Sequence, residues 1–299
     1  MKYAVVVVTY NRLTLLKECM YAIFNQERMF DDIVIVDNGS TDGTKEYLSD
    51  YKDKKNTTIL RYEENGGGAF GFTEGIKEVV SHNVDWILLI DDDAILNLDF
   101  LKVTDDFIQK ESVKAGAYTC TVLTFDKIYT RHRARHIHKG CFWLKSVPLE
   151  EYDKDSFDCE VASFCGLIVS KKIVNKIGFP KAEYFIWQDD EEYCERINKY
   201  TCIRNINKAI LNHKTGKTFN DLNWKMYYGA RNEIDKVKSH YGIVNRIICL
   251  IRVCVRCVKY IITANKYSYT RTEVIKMYVK AIHDGLHGQL GVNKNYYPR

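Results

Sequence analysis

Proline is nearly missing, at three in 299 residues, and the 17 glycines follow no period, so neither a low-complexity linker nor a repeat array interrupts the chain. A cleavable leader is not expected, because Met1-Lys2-Tyr3 runs directly into a strand-like apolar stretch. Cysteine is present ten times but scattered, at 19, 120, 141, 159, 165, 194, 202, 249, 254 and 257. The one close pair, Cys254 and Cys257, stands among Val, Ile and Arg without a second pair, so reduced cytosolic thiols and helix packing are the simpler reading against a metal or redox role. A strong excess of charge is also lacking, since the net charge is +5, with 46% hydrophobic and 28% charged residues. That composition belongs to a globular chain and excludes a disordered one. The charge is nevertheless uneven. From Tyr241 to Arg299 there are ten Lys/Arg against two Asp/Glu, leaving a mildly acidic body of 34 against 37. Such a division points to chemistry in the body and contact with an anionic surface at the C-terminal end.

Tyr3-Ala-Val-Val-Val-Val8 is a continuous β-branched run of the kind found in buried parallel strands. A helix is predicted from Leu13 to Phe24, a second strand over Asp32–Val36, and a helix from Thr41 with Ser40 or Thr41 as N-cap. Ile59–Tyr62 reads as a third strand, Gly71–Val80 as a helix, and Trp86–Ile90 as a further buried strand. Alternating strands and helices give an α/β chain with a doubly wound, mostly parallel sheet. Ligands of such sheets bind beyond the carboxyl ends of the strands. Those ends carry Asn11, Asp37, Glu63-Glu-Asn65 and Asp91-Asp-Asp93. Farther along, Tyr118–Leu123 and Val161–Val169 look strand-like, Asp189–Asn198 looks helical, and the chain from Met226 onward is mostly helical.

Three adjacent aspartates after five apolar residues repel one another unless a cation neutralises them. Hard oxygen ligands suit a divalent metal that also binds a diphosphate, with a solvated acidic turn as the alternative.

Five motifs follow one another in order: Val7-Val-Thr-Tyr-Asn-Arg12, Val36-Asp-Asn-Gly-Ser40, Asn65-Gly-Gly-Gly-Ala-Phe-Gly-Phe72, Asp91-Asp-Asp-Ala94 and Trp187-Gln-Asp-Asp-Glu-Glu-Tyr193. Together they resemble glycosyltransferase family 2, and within it the galactofuranosyltransferase and rhamnosyltransferase branch. The resemblance covers residues 3 to 232, and Asp284-Gly-Leu-His-Gly288 is similar to a C-terminal stretch of bacterial members. It implies the GT-A fold with a helical C-terminal extension, an inverting reaction, a nucleotide-sugar donor and a Mn²⁺ or Mg²⁺ cofactor. Residues 1–232 would form the catalytic domain, with 1–100 as the nucleotide-sugar half and 101–232 as the acceptor half. Residues 233–299 would form the basic helical region.

Taken residue by residue, the resemblance implies that Thr9, Tyr10, Asn11 and Arg12 line the nucleotide pocket, that Asp37 faces the base, and that Asp92 lies near the ribose or sugar. Asp91, Asp93 and His213 would hold the metal, though a histidine beside Lys214 is otherwise an ordinary surface residue. Gly67 belongs to a glycine cluster that follows the third strand, where a dinucleotide phosphate loop would follow the first; small residues there let backbone approach the donor sugar. Inversion by direct displacement needs one carboxylate to take the acceptor proton. The family pattern picks Asp190, with Asp189 and Glu192 as acceptor-side neighbours, while acidic residues also favour any helix N-terminus. Trp187 suits stacking on a sugar or a place in the core. Arg231 suits the diphosphate, or is a surface arginine.

The resemblance favours galactofuranose from UDP-galactofuranose as the donor, with dTDP-rhamnose the alternative, and a cell-surface or lipid-linked glycan as the acceptor. A fold that binds nucleotide sugars without catalysis is the competing class; the triple aspartate, Asp190 and His213 are all present. No nucleic acid partner is expected. From Ile247 to Ala264 the sequence is apolar apart from Arg252, Arg256 and Lys259, which a helix would gather on one stripe. Three cations argue against a membrane span. The helix either lies in an anionic leaflet on the cytoplasmic face or packs on protein.

Overall fold

The structure, a computed structural model, describes residues 1–214, 222–267 and 269–297. The first half follows a regular alternation: β1 (Tyr3–Thr9), α1 (Leu13–Phe24), β2 (Asp32–Asp37), α2 (Thr44–Ser49), β3 (Thr57–Arg61), α3 (Gly67–Ser81) and β4 (Trp86–Asp91). β1 lies between β2 and β4, parallel to both, and β3 continues the parallel set beyond β2. Along β1, Val5 and Val7 enter one apolar cluster with α1, while Val6 and Val8 enter another with α3. Both faces of the strand are therefore covered, which is why it reads as an unbroken apolar run.

The second half adds β5 (Ala94–Leu96), α4 (Phe100–Lys110), β6 (Ala117–Thr124) and β7 (Lys127–Ile128). A small three-stranded sheet contains β8 (Arg133–His136) and β9 (Leu144–Ser146), while β10 (Ser156–Cys159) joins the edge of the main sheet. Then come β11 (Val161–Ala162), β12 (Leu167–Ser170), α5 (Lys171–Ile177), α6 (Asp189–Ile197) and β13 (Ile203–His213). The main sheet runs β10-β13-β6-β12-β4-β1-β2-β3, antiparallel where β12 meets β4 and β6. It is an α/β fold whose N-terminal half is parallel, and β13 brings His213 alongside Ala94, next to the triple aspartate.

Two boundaries differ from the sequence expectation. The second helix begins at Thr44 and not at Thr41, because Ser40 and Thr41 are engaged elsewhere: the Asn11 amide donates to Ser40 Oγ at 3.0 Å, and the Thr41 amide donates to Asn11 Oδ1 at 2.7 Å. Val161–Val169 is not one strand. Gly166, at φ +93°, turns the chain between β11 and β12, and a Cβ there would lie 2.4 Å from Cys120 Sγ.

The C-terminal unit is three helices: α7 (Lys225–His240), α8 (Ile243–Thr263) and α9 (Arg271–His287). Their apolar cluster includes Phe142 and Phe185 from the body. α7 runs through residue 232 without a break, so the helical unit draws its first helix from the stretch expected to end the catalytic half. Arg252 and Arg256 turn inward to Glu233 on α7, at 3.4 and 2.7 Å. Ile247, Ile251, Val255, Val258 and Ile262 are all more than half exposed. Of the cationic stripe expected to meet a membrane, Arg256 is drawn against protein, Arg252 reaches the same glutamate while staying exposed, and Lys259 is exposed; the apolar stripe also faces outward. All ten cysteines are free.

Helices α7 and α9 cross closely at Gly285, where an added Cβ would lie 2.6 Å from the Arg231 carbonyl oxygen and 2.9 Å from Ile234 Cβ. Gly285→Ala gains up to about 1 kcal/mol of helix propensity but overpacks the crossing by about 1–3 kcal/mol. Thermal unfolding should show a lower Tm. An unchanged or raised Tm would mean that the crossing relaxes freely.

Candidate active site

Beyond the carboxyl ends of β1 and β4 two cavities meet. The smaller, about 260 Å³, is lined by Thr9, Tyr10, Arg12, Gly67, Asp92 and Lys225 among others. The larger, about 470 Å³, is lined by Asp93, His213, Trp187, Asp189 and Asp190 among others. Arg12, Gly68, Asp91 and Ile186 belong to both. The expected nucleotide and acceptor residues thus divide between two adjoining spaces with Asp91 at the junction.

The triple aspartate is held by its neighbours. Thr9 Oγ1 donates to Asp92 Oδ2 at 2.8 Å, and Arg12 reaches Asp93 at 2.7 Å and Asp92 at 3.3 Å. Burial and then the neighbouring Asp93 and Asp92 push the Asp91 carboxyl up to about 7. Burial also raises Asp92, to about 6, against the pull of Arg12 and Thr9. Burial would raise Asp93 too, but His213 and Arg12 prevail and hold it below the usual carboxylate range. His213 Nε2 lies 3.2 Å from Asp93 Oδ1 without an aligned hydrogen bond, leaving that oxygen and His213 Nδ1 buried and unsatisfied. Carboxylates with one arginine between them, next to an unsatisfied imidazole and oxygen, fit a divalent cation of the Mn²⁺ or Mg²⁺ kind.

Opposite them, the chain from Phe185 to Gln188 is strained. Phe185, Trp187 and Gln188 have φ of 66°, 64° and 69°, a region non-glycine residues seldom adopt. Asn232 imposes it by donating through Nδ2 to the carbonyls of Tyr184, Ile186 and Trp187, at 2.9, 3.1 and 2.9 Å. α6 then starts at Asp189, with its acidic first turn facing the larger cavity. Burial, then repulsion from Glu191, pushes Asp190 up to about 7, while Lys236 pulls it back. Burial and then Asp190 drive Asp189 well above the ordinary range. Glu191 is neutralised by Lys236, a buried lysine whose role the sequence pattern did not signal.

Four expected site residues sit elsewhere. Asp37 is fully buried and lines neither cavity: one carboxylate oxygen accepts from the Ser40 amide at 2.9 Å, and the other pairs with Arg61. Asn11, at φ 52°, ties the β1 and β2 loops together through Ser40 and Thr41 and also lies outside the linings. Glu192 is buried against His240 at 3.0 Å and Arg196 at 2.9 Å, so it does not reach an acceptor. Arg231 is not a surface residue, and it lines neither cavity. It is 1% exposed and donates to the carbonyls of Gly291, Glu183 and Tyr184 at 2.6, 3.0 and 3.1 Å. Gly67, at φ +84°, is required less by a donor than by Phe185, whose carbonyl oxygen would lie 2.1 Å from a Cβ. Gly68 is the open one, with nothing within 4 Å of its Cβ position.

The sequence reading missed Lys225, which lines the smaller cavity and whose ammonium is destabilised by burial and then by Arg12. It missed Arg256 on α8, His132 and Cys165, all lining the larger cavity. Nothing in their local pattern marks them, because each arrives from a different segment.

The family model described as Glycosyl transferase family 2 matches residues 4–178, more than half of the chain. The galactofuranosyltransferase GlfT1 of Mycolicibacterium smegmatis is 35% identical over 64% of this chain and 64% of its own length. An uncharacterized glycosyltransferase of Mycoplasma pneumoniae is 23% identical over 62% of this chain and 61% of its length, so the chain spans under two thirds of both relatives. Among solved structures, S. aureus TarS in complex with UDP-GlcNAc has a TM-score of 0.61 at 16% identity, covering 96% of this chain and 81% of that one. At that identity the likeness is one of fold.

Arg231 donates through Nε to Asn232 Oδ1 at 2.9 Å and through its other bonded nitrogens to backbone carbonyls, a set of partners that makes it structural. Arg231→Lys keeps the charge but loses at least two charge-assisted hydrogen bonds of about 1.5–3 kcal/mol each. Tm should fall by several degrees, while calorimetry on the folded variant should give UDP affinity within about twofold of wild type. A large loss of UDP affinity at unchanged Tm would return Arg231 to the diphosphate.

Proposed function

The chain belongs to glycosyltransferase family 2, and on that footing we propose that it is an inverting transferase that moves galactofuranose from UDP-galactofuranose to a lipid-linked or cell-surface glycan in polysaccharide biosynthesis. The observation that carries the reading is the pair of adjoining cavities, with Asp91 at their junction and Asp93, His213 and Asp190 lining the larger one. The galactofuranose donor is supported by the five motifs and by the 35% identity to a protein named as a galactofuranosyltransferase. A dTDP-rhamnose donor is the alternative. In this reading residues 1–100 supply most of the donor site, His213 and Lys225 complete it from the following stretch that also carries Asp190 and the acceptor side, and the helical appendage begins with α7.

Thr9, Tyr10, Asp92, Gly68 and Lys225 bind the nucleotide sugar in the smaller cavity, with Lys225 and Arg12 as the cations available to phosphate. Asp91, Asp93 and His213 would hold a divalent ion, which when bound offsets negative charge on the departing diphosphate. Asp190 takes the proton from the acceptor hydroxyl as that oxygen attacks the anomeric carbon from the face opposite the diphosphate. Asp189, beside it, lines the same cavity and can hydrogen-bond an acceptor hydroxyl. The Trp187 ring offers an apolar face to a sugar.

A screen of donor hydrolysis and transfer with UDP-galactofuranose, dTDP-rhamnose and UDP-GlcNAc, in Mn²⁺, Mg²⁺ or excess chelator, tests the assignment. UDP-galactofuranose should turn over and the chelator should stop it. Asp190→Asn should lower kcat by roughly two to four orders of magnitude with donor affinity little changed. Because the base must be deprotonated and its carboxyl lies at about 7, kcat/KM should rise with pH through that value and fall below it. A fully active Asp190→Asn enzyme, or a flat profile, would remove Asp190 from the chemistry.

The same enzyme is held, in this reading, on the cytoplasmic membrane face by the outward apolar stripe of α8, extended by Val279 of α9 at 61% exposure. No helix among the described residues is long and apolar enough to cross a membrane. The basic C-terminal composition suits an anionic leaflet, and Arg256 carries α8 up to the larger cavity, where a lipid-linked acceptor would enter. Each apolar side chain fully buried in the leaflet would contribute roughly 1.5–3 kcal/mol. In liposome co-sedimentation, Ile251→Asp with Val255→Asp should abolish binding to anionic vesicles. Arg252→Ala should change it little. The reverse pattern, or a wild type that never sediments, would overturn this attachment.

A further inference from the structure

His132, Cys165 and His213 come from three separate segments and meet on the wall of the larger cavity. One nitrogen of each imidazole and the Cys165 Sγ all lie within 4.8 Å of one another. The two rings stand nearly perpendicular, at 82°, with centroids 5.1 Å apart. His132 Nδ1 lies 2.7 Å from Ser163 Oγ, which fixes the ring and leaves Nε2 as its free atom. That Nε2 is buried without a partner, and so is His213 Nδ1. Two unsatisfied imidazole nitrogens beside a thiol are costly to bury unless something binds them.

Two imidazoles and a thiol differ in kind from the carboxylates next door. They suit a borderline-soft ion, whereas carboxylates with one imidazole suit Mn²⁺ or Mg²⁺. Around tetrahedral zinc, ligand atoms at about 2.0–2.3 Å from the metal lie roughly 3.3–3.8 Å apart, so side-chain adjustments of about 1 Å close the cluster. The cavity supplies the entry path and an open fourth position for water. We propose that His132, Cys165 and His213 form a second cation site, selective for Zn²⁺-class ions, whose occupation withdraws His213 from Asp93. The competition for His213 rests on the transferase reading; the binding of the ion does not. On binding, the Cys165 thiol loses its proton to solvent as the sulfur–metal bond forms.

Co²⁺ is the probe, because a thiolate ligand gives it a charge-transfer band in the near ultraviolet that carboxylate and imidazole ligands do not. Full-length protein, stripped with chelator and titrated with Co²⁺ alone, should develop that band at one equivalent, and Zn²⁺ should bleach it. Cys165→Ser should lack the band while Cys254→Ser keeps it, with circular dichroism confirming the fold of each. His132→Gln, which retains the thiol, should weaken Zn²⁺ binding at least tenfold by calorimetry. No band at stoichiometric Co²⁺, a band surviving in Cys165→Ser, or unchanged Zn²⁺ affinity in His132→Gln would each overturn the site, whatever the enzyme's turnover. Zn²⁺ should also inhibit Mn²⁺-supported transfer, and less so in His132→Gln. Equal inhibition of both proteins would overturn the competition for His213, whereas a band in a protein that transfers no sugar would count against the transferase reading alone.

Discussion

Asp91, Asp93, Asp189, Asp190 and Glu191 line one cavity, and their mutual repulsion is the constraint that the surrounding structure answers. Each carboxylate is handled differently. Arg12 and His213 take Asp93, Lys236 takes Glu191, and burial and Asp190 push the Asp189 carboxyl well above its ordinary range. Asp91 and Asp190 are left raised to about 7 without a dedicated partner. Two perturbed carboxyls lining one cavity make it a candidate place for a cation and a proton to act.

Holding the surroundings of this cavity together falls to a few residues of α7. Arg231 ties the carbonyls of Glu183 and Tyr184 to Gly291 near the C-terminus, and Asn232 fixes the strained turn before α6. Glu233 receives Arg252 and Arg256 from α8, and Lys236 neutralises Glu191. Strained backbone persists where its surroundings over-determine it, and here three amide-to-carbonyl bonds from a single side chain do so. The helical unit is therefore part of the site's construction.

The parallel half of the fold was legible because it rests on local patterns: buried β-branched runs, and polar residues at each strand end. α1 runs from Leu13 to Phe24, and β4 begins at Trp86, as periodicity and composition indicate. What was not legible depends on partners distant in sequence. Nothing near Arg231 announces that its donors meet carbonyls at 183, 184 and 291, and the His240 and Arg196 that occupy Glu192 are equally silent. Asp37 keeps the motif's residue type while Arg61, on the next strand, takes its charge. Motif order identifies which loops form the cleft; which side chains enter it is settled by tertiary pairing.

α8 carries that lesson to the membrane question. A helical wheel separates cations from aliphatics but does not say which stripe faces outward, and the usual expectation gives water or headgroups to the charges. Here Glu233, on a different helix, offers Arg252 and Arg256 a buried carboxylate, and a buried charge must be paired. Pairing the arginines inward leaves Ile251, Val255 and Ile262 outward. One glutamate on α7 thus draws two of the three cations of α8 toward it. Because Arg256 also lines the larger cavity, the pairing that accompanies the outward apolar stripe also fixes a cation in the wall of the cavity that Asp190 lines.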